Sequence, residues 1–215
     1  MAAIRGRTLR AAIFVGAAYF AAVVLFHGAV AAGVVVARAQ GRHPHPPASI
    51  DVENLRQIDD RVWASGQPDD RHYRELAAAG VRAIVDLRTG AADDRNDVDR
   101  AELAGLGISY VRLPVRDGHV PDDATVRRFL NVIERQDGIA LVHCGAGVGR
   151  SSTFAAGYLS YQGRDVSLWD TLALGSVTLE QAWFLTSGKR NEVIRRLSEG
   201  LDAPRRGWSR LGSLL

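Results

Sequence analysis

Residues 139–152 read IALVHCGAGVGRSS, and the fold of the chain turns on them. Ile139 to His143 form a short apolar run closed by a histidine, the pattern of a strand buried on both faces. Gly145, Gly147 and Gly149 then put three glycines among the five residues between Cys144 and Arg150. Such a stretch drops side chains and admits positive φ, so that successive backbone N–H groups turn inward around an anion. A helix opening near Arg150 adds the partial positive charge of its N-terminus, which stabilises phosphate and thiolate alike. Strand, amide cradle and helix, in that order, predict a pocket for a tetrahedral oxyanion.

Working outward, the chain beyond about residue 50 alternates apolar strands with amphipathic helices, which predicts an α/β domain: a central, mainly parallel sheet flanked by helices. Strands are expected at 62–64, 83–87, 108–113 and 139–143. Helices are expected at roughly 69–79, 96–105, 122–136 and 150–161, with two or three more between 168 and 199. Gly80, Gly107 and Gly138 stand where C-cap glycines end a helix before a strand. No internal repeat is evident. This domain is expected over residues 51–200, with residues 201–215 as a C-terminal tail.

The N-terminal fifth has a different composition. Residues 1–10 are a basic flank containing Arg5, Arg7 and Arg10, and residues 11–37 are apolar except for His27. About 20 such residues span a bilayer, so 11–37 is read as one transmembrane helix and the chain as a single-pass membrane protein. The alternative is a cleaved signal, with Ala37-Arg38-Ala39 as the small-x-small site, but the apolar run is long for that. The slight excess of positive charge before the span favours an N-terminus inside and the large C-terminal domain outside the cytoplasm. Residues 38–50, with GRHPHPPA at 41–48, form a proline-rich, extended linker. His43 and His45 lack further clustered ligands and are read as solvated linker rather than a metal tract.

The chain has 215 residues and a formal net charge of +3, nearly all of its positive charge from arginine, since Lys189 is the only lysine. Its Ala/Gly/Arg bias fits a GC-rich bacterial genome. The basic residues are scattered among acids, which argues against a nucleic-acid partner.

Cys144 is the only cysteine, so an intrachain disulfide and a thiolate metal cluster are both excluded. It is either an inert core residue or a reactive thiol, and its place in the glycine loop favours the second. A thiol attacks once ionised, and a helix N-terminus beside a guanidinium favours the thiolate. Arg150 offers a planar, always-charged fork that grips two phosphate oxygens. Attack on phosphorus expels an alkoxide or phenoxide, so a proton donor is required nearby. Asp117, in the proline-bounded loop PVRDGHVP at 114–121, is the candidate. Asp122 and Asp123 compete, but they stand where the following helix needs its N-cap. Ser151 is placed to hydrogen-bond the sulfur and ease its departure. Trp169 and Trp183 read as core, and Gln181 as a minor candidate for positioning water.

The segment HCGAGVGRSS resembles the signature loop, His-Cys-five residues-Arg-Ser/Thr, of the protein tyrosine and dual-specificity phosphatase superfamily. VWASGQP at 62–68 resembles the opening of its compact bacterial members, and Asp86-Leu87-Arg88 their second-strand ending. The resemblance covers roughly residues 55–162. It implies Cys144 as nucleophile, Arg150 as phosphate ligand and Asp117 as acid and then base. His143 would support a phosphate loop made of Gly145, Ala146, Gly147, Val148 and Gly149. No metal and no organic cofactor are implied. The five-residue spacing and the upstream acid distinguish the pattern from rhodanese-like sulfurtransferases, and the order of loop and acid from arsenate reductases and low-molecular-weight phosphatases. The expected partner is a phosphorylated protein, phosphotyrosine above all, or a small phosphorylated substrate. The alternatives are an inositol-phosphate or phosphoinositide phosphatase of phytase-like type and a catalytically inert phospho-binding module.

Overall fold

The computed structural model describes residues 2–39, 50–90, 100–164, 166 and 189–198. Its elements are α1 (Ala2–Ala39), β1 (Arg56–Gln57), β2 (Val62–Ser65), α2 (Asp70–Ala78), β3 (Val81–Asp86) and α3 (Arg100–Gly105). They continue with β4 (Ser109–Arg112), α4 (Asp123–Arg135), β5 (Ile139–His143), α5 (Arg150–Tyr161) and α6 (Lys189–Ser198). The sheet runs β1-β2-β5-β3-β4; β1 pairs antiparallel with β2 and every other pairing is parallel.

β5 lies in the middle, and its register brings His143 opposite Ser65 of β2 on one side and Asp86 of β3 on the other. Asp86 in turn pairs with Arg112 of β4. The last residues of four parallel strands therefore line up along one edge, the edge where open α/β sheets bind ligands.

The apolar runs of β2, β3 and β5 are buried because helices cover both faces. Ala140 and Val142 face a core shared with Phe129 of α4, Phe154 of α5 and Leu197 of α6. Leu141, between them, points the other way, into a second core with Tyr73 and Leu76 of α2 and Leu103 of α3. Phe129 and Phe154 meet edge to face, 4.9 Å between ring centroids. On α4, Val126, Phe129, Leu130 and Ile133 recur at helical spacing and are the buried face. α5 has no polar stripe of comparable breadth and is buried along almost its whole length.

The predicted strands are all present within a residue or two, and β1 is an addition. Its two residues carry no periodicity of their own; pairing with β2 makes them a strand. Asp122 is the N-cap of α4, its Oδ1 accepting from Thr125 N–H at 2.7 Å. Gly80 and Gly107 end α2 and α3 at φ of +97° and +72°. Gly138 does not play that part. α4 ends at Arg135 with Gln136 as an extended C-cap, and a Cβ on Gly138 would lie 2.6 Å from Arg82 Cγ and 2.9 Å from the Gly80 carbonyl. It is glycine because β3 and its approach pass close by. Of the helix expected over 96–105, α3 is the described part and 96–99 lie outside the described residues; α6 is likewise the described part of the helices expected over 168–199. Of the linker expected over 38–50, Arg38 and Ala39 instead continue α1, and 40–49 lie outside the described residues together with the tail at 201–215, Trp169, Gln181 and Trp183; His43 and His45 fall in that part of the linker.

In α1, Ala11–Gly33 is a 23-residue apolar stretch, long enough to cross a membrane by length and composition, and no part of it counts as buried in the fold. Phe14, Tyr19, Phe20 and Leu25 are largely exposed. The ring of His27 donates from Nδ1 to the Val23 carbonyl one turn back, at 2.6 Å.

Candidate active site at the C-terminal edge of the sheet

Cys144 directly follows β5 and is 3% exposed, so the sulfur sits at the floor of the loop. Its Sγ lies 3.5 Å from Ser151 Oγ in the first turn of α5, where the hydroxyl is fully buried. α5 starts at Arg150 with Gly149 as N-cap, and Thr153 returns both its N–H (3.0 Å) and its Oγ1 (2.9 Å) to the Gly149 carbonyl. The loop from Cys144 to Gly149 thus ends on a helix N-terminus, as expected.

Of the three loop glycines only Gly147 has a positive φ, +73°. A Cβ there would also stand 2.3 Å from Gly66 N and 2.6 Å from Ser65 C. Glycine at 147 is therefore required twice over, by backbone conformation and by the Ser65-Gly66 turn that follows β2.

Arg150 is 8% exposed. Its Nη1 donates to the carbonyls of Leu87 and Val115, both at 3.3 Å, so the guanidinium bridges the ends of β3 and β4. Its Nε is 4.0 Å from Asp117 Oδ1. Asp117 lies in a turn beyond β4 in which His119 N–H bonds the Arg116 carbonyl (3.0 Å) and His119 Nδ1 donates to the Asp117 carbonyl (2.8 Å). Its carboxylate accepts from Gly118 N–H at 3.1 Å and keeps about half its surface open to solvent. It also faces the loop: a Cβ on Gly149 would be 3.6 Å from Asp117 Oδ1. Four of the predicted residues, Cys144, Ser151, Arg150 and Asp117, thus fall in one place. Asp123 is turned elsewhere, toward Arg196 of α6.

Beneath the loop lies a buried cluster whose weight the sequence did not reveal. Asp86 Oδ1 accepts from Arg88 N–H and Nε (both 2.9 Å), and Oδ2 accepts from Arg88 Nη2 (2.8 Å) and from the Tyr110 hydroxyl. Burial works against the ionised carboxyl, but Arg88, His143 and Tyr110 outweigh it and bring its pKa down to about 2. For Arg88, burial works against the charge and the Asp86 fork more than restores it. The signal was present in Asp86-Leu87-Arg88: residues two apart on extended backbone share a face, so a carboxylate and a guanidinium so spaced after an apolar strand can pair inside.

Two more residues were missed. Asn54 Nδ2 donates to the Ala146 carbonyl at 2.8 Å, and Arg56 Nη2 donates to the Gly147 carbonyl and to Ser152 Oγ (3.3 Å). They precede the loop by about 90 residues, and nothing local marks them. Among the described residues no group of three or more His, Cys, Asp or Glu side chains is placed to share a metal ion.

Residues 41–190 match the family model described as DSP-PTPase phosphatase fused to NAD+ kinase. The chain belongs to this phosphatase family. It is 45% identical over 119 residues to human dual specificity protein phosphatase CDC14A, a match covering 54% of this chain and 17% of that protein. The chain thus spans about a fifth of the length of the curated relatives it matches. Two solved structures share the fold. TpbA of P. aeruginosa, as a Cys-to-Ser variant in complex with pTyr, aligns at a TM-score of 0.51 and 22% identity over 72% of this chain and 98% of its own. PTPMT1 in complex with PI(5)P aligns at 0.54 and 19% over 68% and 96%. The chain is thus a member of the dual-specificity and tyrosine phosphatase superfamily, with the mixed α/β fold of that group.

Proposed function

We propose that this phosphatase hydrolyses phosphate monoesters through a phosphocysteine, with Cys144 as nucleophile, and that its substrate is a phosphoprotein, phosphotyrosine first. The observation that carries the reading is the meeting of Cys144 Sγ, Ser151 Oγ, the Arg150 guanidinium and the Asp117 carboxylate around one glycine loop.

In the first step the Cys144 thiolate attacks phosphorus; the S–P bond forms, the P–O bond to the leaving group breaks, and Asp117 gives its proton to the departing oxygen. Loop amides and Arg150 hold the three remaining phosphate oxygens through the transition state. In the second step water attacks phosphorus and yields its proton to Asp117. The S–P bond breaks, phosphate leaves, and Ser151 donates to the returning sulfur anion. His143 braces the floor of the loop. No cofactor or metal enters this scheme.

The loop positions Gly145, Ala146 and Val148 bring no cationic side chain to the phosphate, which supports a substrate with a single phosphate. TpbA, of the same fold, was solved with pTyr. A phosphoinositide or inositol phosphate is the second reading. Arg116 and His119, exposed on the loop that carries Asp117, favour it, as does the PI(5)P in PTPMT1. Domain limits of 51–200 and a membrane anchor at 11–37 complete the proposal, with the domain outside the cytoplasm.

Cys144→Ser should abolish turnover while still binding phosphate; ordinary activity in that variant overturns the scheme. Asp117→Asn should lower kcat by ~10²–10⁴ on substrates with poor leaving groups and by much less on activated aryl phosphates. Equal losses on both would remove the acid role from Asp117. Phosphotyrosyl, phosphoseryl and inositol phosphate substrates compared on the wild-type chain decide between the two substrate readings.

A further inference from the structure

A peptide unit is planar and trans, so its C=O and the N–H of the next residue point in opposite directions. A loop that aims N–H groups at an anion must therefore turn the preceding carbonyls outward, and those carbonyls need donors behind them. Five such carbonyls are occupied here. Cys144 O accepts from His143 Nδ1 (3.2 Å), Gly145 O from Gln67 N–H (2.8 Å) and Ala146 O from Asn54 Nδ2 (2.8 Å). Gly147 O accepts from Arg56 Nη2 and Ser152 Oγ, and Gly149 O from Thr153. His143 and Ser152 belong to the signature segment itself, and Thr153 follows it directly in α5. Asn54, Arg56 and Gln67 come from the strand and turns at the start of the domain.

We propose that Asn54 and Arg56 are positioning residues for the phosphate loop: by holding the Ala146 and Gly147 carbonyls outward they present the N–H groups of Gly147 and Val148 to the bound phosphate. The inference rests on the reading of 144–150 as the phosphate site. Both residues are built for it. Asn54 adopts a left-handed backbone, φ +52°, which aims its short amide across to Ala146, and asparagine tolerates that conformation better than most residues. Its Cβ is 3.0 Å from the point a Gly147 Cβ would occupy, so it packs directly on the loop. Arg56 is 7% exposed, and a guanidinium buried behind a carbonyl both donates to it and places a positive charge behind the anion site. The turn is fixed in turn by Gly66 N–H to the Glu53 carbonyl at 2.7 Å.

The test uses the full chain. Asn54→Gly keeps the left-handed backbone and drops the donor. Asn54→Asp keeps size and backbone preference but sets a carboxylate against the Ala146 carbonyl. Arg56→Lys keeps the charge and loses the fork. We expect kcat/KM for a phosphotyrosyl peptide to fall about tenfold in Asn54→Gly, the net worth of one such hydrogen bond, and further in Asn54→Asp. The inhibition constant of inorganic phosphate should rise in the same order, while the leaving-group dependence set by Asp117 stays as in the wild type. Arg56→Lys should behave like Asn54→Gly. Variants that unfold at the wild-type temperature yet keep wild-type phosphate affinity and kcat/KM overturn the proposal. So does a lowered unfolding temperature with unchanged kinetics, which marks a purely structural role. An active Cys144→Ser, by contrast, sinks the reading of the site itself, whatever Asn54 does.

Discussion

His143 is wedged between a carboxylate and a carbonyl, and the bonding around it decides its charge. Its Nε2 is 3.7 Å from Asp86 Oδ1, close enough to look like an ion pair. Yet both Asp86 oxygens are already occupied, by three donors of Arg88 and the Tyr110 hydroxyl. Nδ1 must carry the proton, because it faces the Cys144 carbonyl at 3.2 Å. Burial, helped by the charges of Arg88 and Arg150, outweighs the pull of Asp86 and brings the ring's pKa from 6.5 down to about 4. The ring is neutral at pH 7, and the contact to Asp86 is no salt bridge. Linkage gives the sign. Between pH 6.5 and 4 the unfolded chain takes up a proton that the folded ring refuses, so folding free energy is full above this window and drains as pH falls through it. The Asp86 contribution, from a pKa lowered to about 2, is present above the ordinary carboxylate range and is lost only at more acid pH. Urea denaturation at a series of pH values should show a decline from pH 7 to 4.5 in the wild type. His143→Gln, which can still donate to the Cys144 carbonyl, should flatten that decline while leaving the steeper loss below pH 4. An unchanged slope in His143→Gln would assign the titration to another group.

At the scale of elements, α5 carries the helix end of the 144–149 loop proposed to hold phosphate, and its own placement depends on α6. A Cβ on Gly157 would stand 2.3 Å from Leu197 Cδ1 and 2.7 Å from its Cβ, so the two helices approach through a glycine. Gly157→Ala gains up to ~1 kcal/mol in helix propensity but overpacks this contact at a cost of ~1–3 kcal/mol, and should be destabilising on balance. Leu197→Ala alone opens a cavity worth ~2–5 kcal/mol. The double variant should be more stable than the sum of the two by ~1 kcal/mol, since each change relieves the other; simple additivity in thermal unfolding would mean that the helices are not in this contact. The same pair shows what a sequence can and cannot announce. Strand, loop and helix at 139–161 were readable because their patterns are contiguous: an apolar run, spaced glycines, a lone cysteine with an arginine after it. The position of Asp117 beside the loop was readable because a loop between strand and helix restricts the candidates, and the N-cap Asp122 because N-caps have a local chemistry. Asn54, Arg56 and Gly157 carry no local pattern. Each owes its meaning to a group 40 to 92 residues away, and β1 becomes a strand only when β2 is beside it. Gly138 was misread for the same reason: its constraint is the neighbouring chain at Arg82, not the helix it follows.

At the scale of the whole molecule, the apolar stretch Ala11–Gly33 has none of its length buried in the fold and needs a cover from outside it. At 1.5 Å per residue its 23 residues extend about 35 Å, enough to cross a hydrocarbon core of about 30 Å. Water is a poor neighbour for it, because at ~25 cal/mol per Å² a side chain such as Phe20 or Leu25 stabilises by ~1.5–3 kcal/mol when it leaves the solvent. The imidazole inside it is already partly satisfied, His27 bonding the helix backbone at Val23, which lowers the cost of carrying it into lipid. If this stretch spans a bilayer, the expressed full chain should remain with the membrane fraction through alkaline carbonate extraction, and Phe20→Arg, near the centre of the span, should impair insertion by ~2.5–3.5 kcal/mol. Release of the wild-type chain by carbonate, at its full mass, would show that the helix lies on a surface or against a partner instead. Loss of the first 39 residues from the mass of the mature protein would show that the segment is a signal that is removed. A reporter fused after Leu215 then gives the side: activity confined to extracytoplasmic reporters supports the orientation inferred from the arginines at 5, 7 and 10, and activity in the cytoplasm reverses it.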